Sequence, residues 1–116
     1  MDEKKIIGLV EDLTIVGACG KAKLKAKVDT GASRTSVDSR IAGKIGLGPI
    51  VSSVKIKSSM SRKVDRRPLA EARIVVADVE FSVSVSVADR AGMKYPVLIG
   101  MDILGSGNFL IDPTKT

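Results

Sequence analysis

The chain has 116 residues, 44% hydrophobic and 28% charged, with a formal charge of +6 from 19 Lys and Arg against 13 Asp and Glu. That length suits one domain with one core, and with two Phe, one Tyr and no Trp the core has to be aliphatic. There is no His and a single Cys, Cys19, which excludes Ser-His-Asp and Cys-His nucleophile systems, the usual zinc ligand sets and an internal disulfide. Chemistry in this chain must rest on carboxylates, hydroxyls or lysines.

A lone cysteine fits a reducing compartment, and no apolar run approaches the ~18 residues of a membrane span. The expectation is a cytoplasmic protein with no membrane association. The basic balance suits nucleic acid, an anionic surface or acidic peptides. Neither aromatic stacking platforms nor a basic recognition helix is visible, so nucleic acid is the least favoured of the three.

In chain order, Lys5-Ile6-Ile7-Gly8-Leu9-Val10 and Leu13-Thr14-Ile15-Val16-Gly17-Ala18 read as strands, and Cys19-Gly20 as a turn. The run Lys21-Ala22-Lys23-Leu24-Lys25-Ala26-Lys27-Val28 alternates charged and apolar residues at the period of a half-buried strand, then stops at Asp29-Thr30-Gly31-Ala32-Ser33. An acid at a strand end before a glycine is a place for chemistry, because Gly31 lets a donor approach the Asp29 oxygens with no Cβ in the way. An Asx-turn, with Asp29 bonding only its own backbone, is the structural alternative.

After Arg34-Thr35-Ser36, the segment from Val37 to Leu47 carries Val37, Ile41 and Ile45 at helical spacing, with Asp38 or Ser39 as cap and Gly46, Gly48 and Pro49 as its end. Two strand-like runs, Val51–Lys57 and Leu69–Val76, flank a polar, basic stretch from Ser58 to Pro68. They predict a long hairpin over about 52–76 with an exposed tip, either a binding loop or a solvated one. Val79–Val87 alternates Phe or Val with Ser and is the clearest strand of the chain. Asp89–Lys94 is a turn-like link to the strand Tyr95-Pro96-Val97-Leu98-Ile99-Gly100. Met101–Gly105 suits one helical turn, and Asn108–Pro113 a last strand stopped by proline. No repeat or linker divides the chain, so residues 1–116 are expected to form a single, mostly β barrel or folded sandwich with one middle helix and one late helical turn.

Read together, Asp29-Thr30-Gly31-Ala32 and Val97-Leu98-Ile99-Gly100 resemble the paired signatures of retropepsin-like aspartic proteases, and the order of elements matches a single retropepsin subunit. A nearer resemblance is to a prokaryotic branch of that family that carries the label ATP-dependent zinc protease. It is carried by Lys25–Ala32, Ser58-Ser59, Arg67-Pro68, Asp89-Arg90, Tyr95–Leu104 and Phe109-Leu110-Ile111-Asp112-Pro113, and covers most of the chain from residue 21. The zinc label does not suit these residues, which lack His and H-E-x-x-H; nor is there a G-x-x-x-x-G-K-[ST] phosphate loop. No metal and no cofactor are expected.

The resemblance implies a closed-barrel acid-protease fold with a β-hairpin flap, and an aspartic endopeptidase with Asp29 as catalytic residue. Thr30, Gly31 and Ala32 would support the catalytic loop. Since one acid cannot serve as both base and proton donor, the second must come from another subunit, which makes the active form a homodimer. Ser33, Val97 and Ile99, together with Ser58, Ser59, Met60, Arg62, Arg66 and Arg67 of the flap, are the implied substrate contacts. The basic flap favours a peptide substrate of acidic, glutamate-rich character, and relatives are associated with ATP-grasp ligases, the implied partner. Viral retropepsins commonly pair an acid two residues after the motif glycine with an arginine after the late glycine. Here those places hold Ser33 and Met101, and Arg34 with Asp102, one residue later, is the alternative pair. Two other readings stay open: a catalytically inactive retropepsin-fold module that binds peptides or supports assembly, and a basic nucleic-acid-binding domain.

Overall fold

The computed structural model describes residues 3–57 and 64–115. Strands β1 (Lys5–Ile7), β2 (Val10–Gly17) and β3 (Gly20–Val28) are followed by β4 (Ser36–Asp38) and helix α1 (Ser39–Ile45). Then come β5 (Ile50–Lys57), β6 (Val64–Val76), β7 (Val79–Ala88), β8 (Val97–Ile99), α2 (Met101–Leu104) and β9 (Phe109–Ile111). The chain is mostly β, as its alternating segments predict.

Six strands close into a barrel. The sheet runs β2-β3-β8-β4-β7-β6, and β6 returns to β2 through Leu13↔Val76 to Val16↔Arg73. The hairpins β2–β3 and β6–β7 are antiparallel, whereas β8 lies parallel to β3 and β4 parallel to β7. Long β6 uses one part of its length to pair with β2 and another to carry β5 as the outer strand of a hairpin, from Ile50↔Ala70 to Lys57↔Val64. The predicted hairpin is therefore present, with its strands reaching further into the basic stretch than hydropathy suggests: Asp65, Arg66, Arg67 and Pro68 all belong to β6.

The core is aliphatic, as the composition demands. Ile7, Ile15, Val37, Ile74, Val85, Val97, Ile99 and Ile103 are fully buried, each worth roughly 1.5–3 kcal/mol of transfer free energy. Strands β1 and β9 form a separate parallel ribbon, Lys5↔Phe109 to Ile7↔Ile111, and Phe109 meets Phe81 with ring centroids 6.0 Å apart. The middle helix is shorter than the sequence predicts. Val37, expected on its apolar face, lies in β4, where it pairs with both Val87 and Val97. Asp38 takes the N-cap position but makes no side-chain cap bond, and Gly46, at φ 69°, closes the helix with its amide on the Ala42 carbonyl. Among the described residues no helix is long and apolar enough to cross a membrane.

Candidate active site

Asp29 stands where β3 ends, and backbone groups fix it on both sides. Its N–H donates to the Ile99 carbonyl of β8 at 2.9 Å, its carbonyl accepts from Ala32 N–H at 3.2 Å, and its Oδ1 accepts from Gly31 N–H at 2.9 Å. The Asx-turn is thus real, and it leaves a half-buried carboxylate whose second oxygen has no partner among the described residues. The turn and the chemical reading coincide: local bonding orients the acid without using it up. A Cβ built on Gly31 would come within 3.2 Å of Oδ1, so the glycine keeps that oxygen approachable.

The loop is held from behind by the start of α2. Met101 N–H donates to the Ala32 carbonyl at 2.8 Å and Asp102 N–H to the Ser33 carbonyl at 3.2 Å. Gly100 makes this approach possible. A Cβ there would lie 2.6 Å from the Arg34 carbonyl carbon and 2.9 Å from the Ala32 oxygen, both rigid backbone atoms. One layer deeper is a residue that the sequence reading did not single out, Thr35. Its N–H lies 3.0 Å from both Asp102 carboxylate oxygens, its hydroxyl donates to Asp102 Oδ1 at 2.7 Å, and the same hydroxyl accepts from Gly100 N–H at 3.2 Å. Asp102 Oδ1 also accepts from Ile103 N–H at 3.0 Å. This polar knot ties the exit of the Asp29 loop to the first turn of α2.

The alternative pair of Arg34 with Asp102 does not form. Asp102 is turned inward, where its half-buried carboxylate needs several donors and finds them in Thr35 and Ile103. Exposed Arg34 instead donates from Nη1 to the Ser84 carbonyl at 3.2 Å. Val97 and Ile99, expected to line a substrate cleft, are fully buried in the core. Strand alternation gives the other face to half-buried Leu98. Thr30 and Ser33 are exposed and Ala32 is half-buried. On the hairpin, Arg66 is exposed and Arg67 half-buried, whereas Ser58, Ser59, Met60 and Arg62 lie outside the described residues.

A second residue missed from the sequence is Arg90. Its N–H donates to buried Asp38 Oδ1 at 2.8 Å and its Nε to the Tyr95 carbonyl at 3.0 Å, so the guanidinium is anchored at the loop leading into β8. Burial first, and then repulsion from Arg67, holds its pKa below the usual arginine value, while the nearby Asp38 and Asp29 carboxylates oppose the shift. Arg67 and Asp29 thus both act on the Arg90 charge, Asp29 the more weakly. Asp38 is itself held below the usual carboxylate range, chiefly by the Arg40 guanidinium at 3.1 Å and then by the Arg90 amide, against the cost of burial. Among the described residues no three His, Cys, Asp or Glu side chains converge on a point where a metal could sit.

Residues 16–106 match the model of the gag-polyprotein putative aspartyl protease family. The chain belongs to that retropepsin-like family. A Legionella pneumophila protein of unknown function, Lpg0085 (DUF785), superposes with a TM-score of 0.69 at 22% identity, covering 98% of this chain and 97% of that one. The protease of EIAV, solved with the inhibitor HBY-793, gives 0.68 at 15% identity over 89% and 90% of the two chains. The retroviral protease-like domain of Ddi1 from Leishmania major gives 0.56 at 19% identity over 90% and 78%. Comparison with curated proteins gives no significant match. At these identities the neighbours speak for the fold alone.

Proposed function

We propose that this chain is one subunit of a homodimeric aspartic endopeptidase. The observation that carries the reading is the Asp29 loop, an acid oriented by the Gly31 amide and backed by the Gly100–Asp102 main chain. One carboxylate cannot both take a proton from water and deliver one to the scissile amide. A two-fold axis beside exposed Thr30 would bring a second Asp29 opposite the first. Two carboxyl groups at hydrogen-bonding distance share one proton and titrate as a unit. The ionised member takes a proton from the water held between them, and the protonated member polarises the peptide carbonyl. The resulting tetrahedral intermediate collapses as the leaving nitrogen is protonated, with no covalent bond to the enzyme.

Acidic peptides are the preferred substrate class. Arg67 and Arg90 would supply two positive charges per subunit, four per dimer, against an acid pair that carries one negative charge, which favours a carboxylate of the substrate. A second reading, an inactive peptide-binding or assembly module, draws on Ser33 and Met101 replacing the acid and arginine common in viral enzymes. The deciding experiment is digestion of a peptide pool rich in acidic members, across about pH 3–8, by the wild type and by Asp29→Asn. Cleavage by the wild type alone supports the peptidase. Absence of cleavage from a demonstrated dimer at every pH supports the binding module.

A further inference from the structure

Strand β3 has an edge that the barrel does not use. Val28 N–H donates to the Leu9 carbonyl on the β2 side, and Asp29 N–H to the Ile99 carbonyl on the β8 side. Successive residues of a strand alternate in this respect, so even-numbered residues of β3 turn their backbone groups to β2 and odd-numbered ones away from it. The strand β8 is short and pairs only with Ala26, Lys27 and Val28. The register with β8 puts Val97 N–H on the Lys25 carbonyl; among the described residues, the outward N–H groups of Lys21, Lys23 and Lys25 and the carbonyls of Lys21 and Lys23 have no backbone partner.

The side chains of the same strand form a row. Lys21, Lys23, Lys25 and Lys27 are all exposed, spaced about 6.7 Å apart by the two-residue repeat. Opposite them on β2 stand Val16, Thr14, Asp12 and Val10. Asp12 is the one acid in that set, and it meets Lys25 at 3.1 Å with both side chains largely in water, where an ion pair contributes little. The row ends two residues before Asp29.

We propose that this edge docks an extended acidic polypeptide segment by strand addition, its backbone continuing the sheet beyond β8 and its alternate Asp or Glu side chains meeting the lysine row. Two observations select that occupant. Lysines on an open edge repel a strand that carries the same charge, so a second copy of this edge is kept away while an acidic strand is drawn in. A nucleic-acid backbone matches the charge but brings no alternating donors and acceptors for the free N–H and C=O groups. No Phe, Tyr or Trp lies in the run from Gly20 to Val28 to stack a base.

The inference does not require Asp29 to be catalytic, and its test is a binding measurement on the full chain carrying Asp29→Asn, so that no probe is cut. The probes are a labelled twelve-residue peptide alternating Glu and Thr, its Lys/Thr counterpart, and a twelve-nucleotide oligothymidylate. The Glu/Thr peptide should bind, weaken with added salt, and slow hydrogen exchange at the amides of Lys21, Lys23 and Lys25. Lys23→Pro removes one outward N–H without touching the β2 ladder, and should weaken the peptide at least tenfold. Lys21→Glu with Lys23→Glu should transfer binding to the Lys/Thr peptide. Equal or tighter binding of the oligonucleotide, no protection of the three amides, or binding indifferent to all these substitutions would overturn the proposal.

Discussion

Asp29 is positioned by main-chain atoms, so the residues that govern its geometry are those that let main chains approach one another. Gly100 is the most exacting. Its Ala variant must displace backbone at 2.6 Å, and overpacking of this kind costs roughly 1–3 kcal/mol. Because the displaced atoms belong to the Asp29 loop, on the proposed function Gly100→Ala should lower peptide cleavage by a larger factor than its shift in denaturation midpoint implies. Thr35 and Asp102 are the next layer. Thr35→Val keeps the shape but strips Asp102 of its hydroxyl donor and leaves the Gly100 amide unpaired in a buried position. Urea unfolding should show a loss of about 1–3 kcal/mol. Asp38 sets a pH dependence. Its folded-state pKa is depressed by Arg40 and the Arg90 amide, so its contribution to stability is complete above the unfolded carboxylate value of about 4. That contribution disappears as pH falls from there through the lower folded value. Thermal melts should show the wild type losing stability over that acid range and Asp38→Asn losing less of it, the two curves converging at the acid end.

Legibility differs from one element to the next, and the difference is physical. Strands β2, β3 and β7 could be read because their alternation is written locally, and α2 because Gly100 and Gly105 bracket a stretch too short for more than one turn. Strand β4 could not. Its three residues are fixed by pairing with Ser86–Ala88 and with Val97–Leu98, contacts about fifty and sixty residues away that leave no local period, and Val37 therefore passed for the start of a helix. The Thr35–Asp102 knot, 67 residues apart in sequence, is invisible for the same reason. The Asx-turn at Asp29-Thr30-Gly31 was legible, since it depends on three consecutive residues. The face of β8 was not, because three apolar residues in a row carry no alternation from which to tell the buried pair Val97 and Ile99 from Leu98. The hairpin carries the prediction that belongs at this scale. Arg67 on β6 and Arg90 beyond β7 belong to different elements, and if both guanidinium groups act on one substrate carboxylate their effects should be coupled. Arg67→Gln and Arg90→Gln should each raise KM for an acidic peptide about tenfold, equivalent to ~1.4 kcal/mol, with little change for a neutral peptide of the same length. The double variant should fall short of the product of the two factors if both arginines serve one site.

At the level of the whole molecule, the proposed peptidase needs a second Asp29 that one barrel does not supply, and the surface around that acid carries the apolar groups that an association would bury. Leu9 is 41% exposed and its carbonyl holds the Val28 amide just before Asp29. Met101, 43% exposed, holds the Ala32 carbonyl just after it. The terminal ribbon adds Ile6 and Leu110, side by side in register and each more than half exposed. Replacing exposed residues of a monomer changes its stability by about 0.5 kcal/mol or less, whereas placing charges in the centre of an interface costs far more. Leu9→Lys with Met101→Lys should therefore leave the unfolding of the isolated subunit nearly unchanged and weaken dimerisation by tenfold or more in sedimentation equilibrium. Cleavage per subunit should follow the dimer fraction: in the wild type it should fall on dilution through the dissociation midpoint, and in the double variant the same fall should begin at a correspondingly higher concentration. A variant that stays dimeric yet loses cleavage would place these two side chains in substrate contact instead. One that dissociates yet keeps full activity would rule out the shared acid pair.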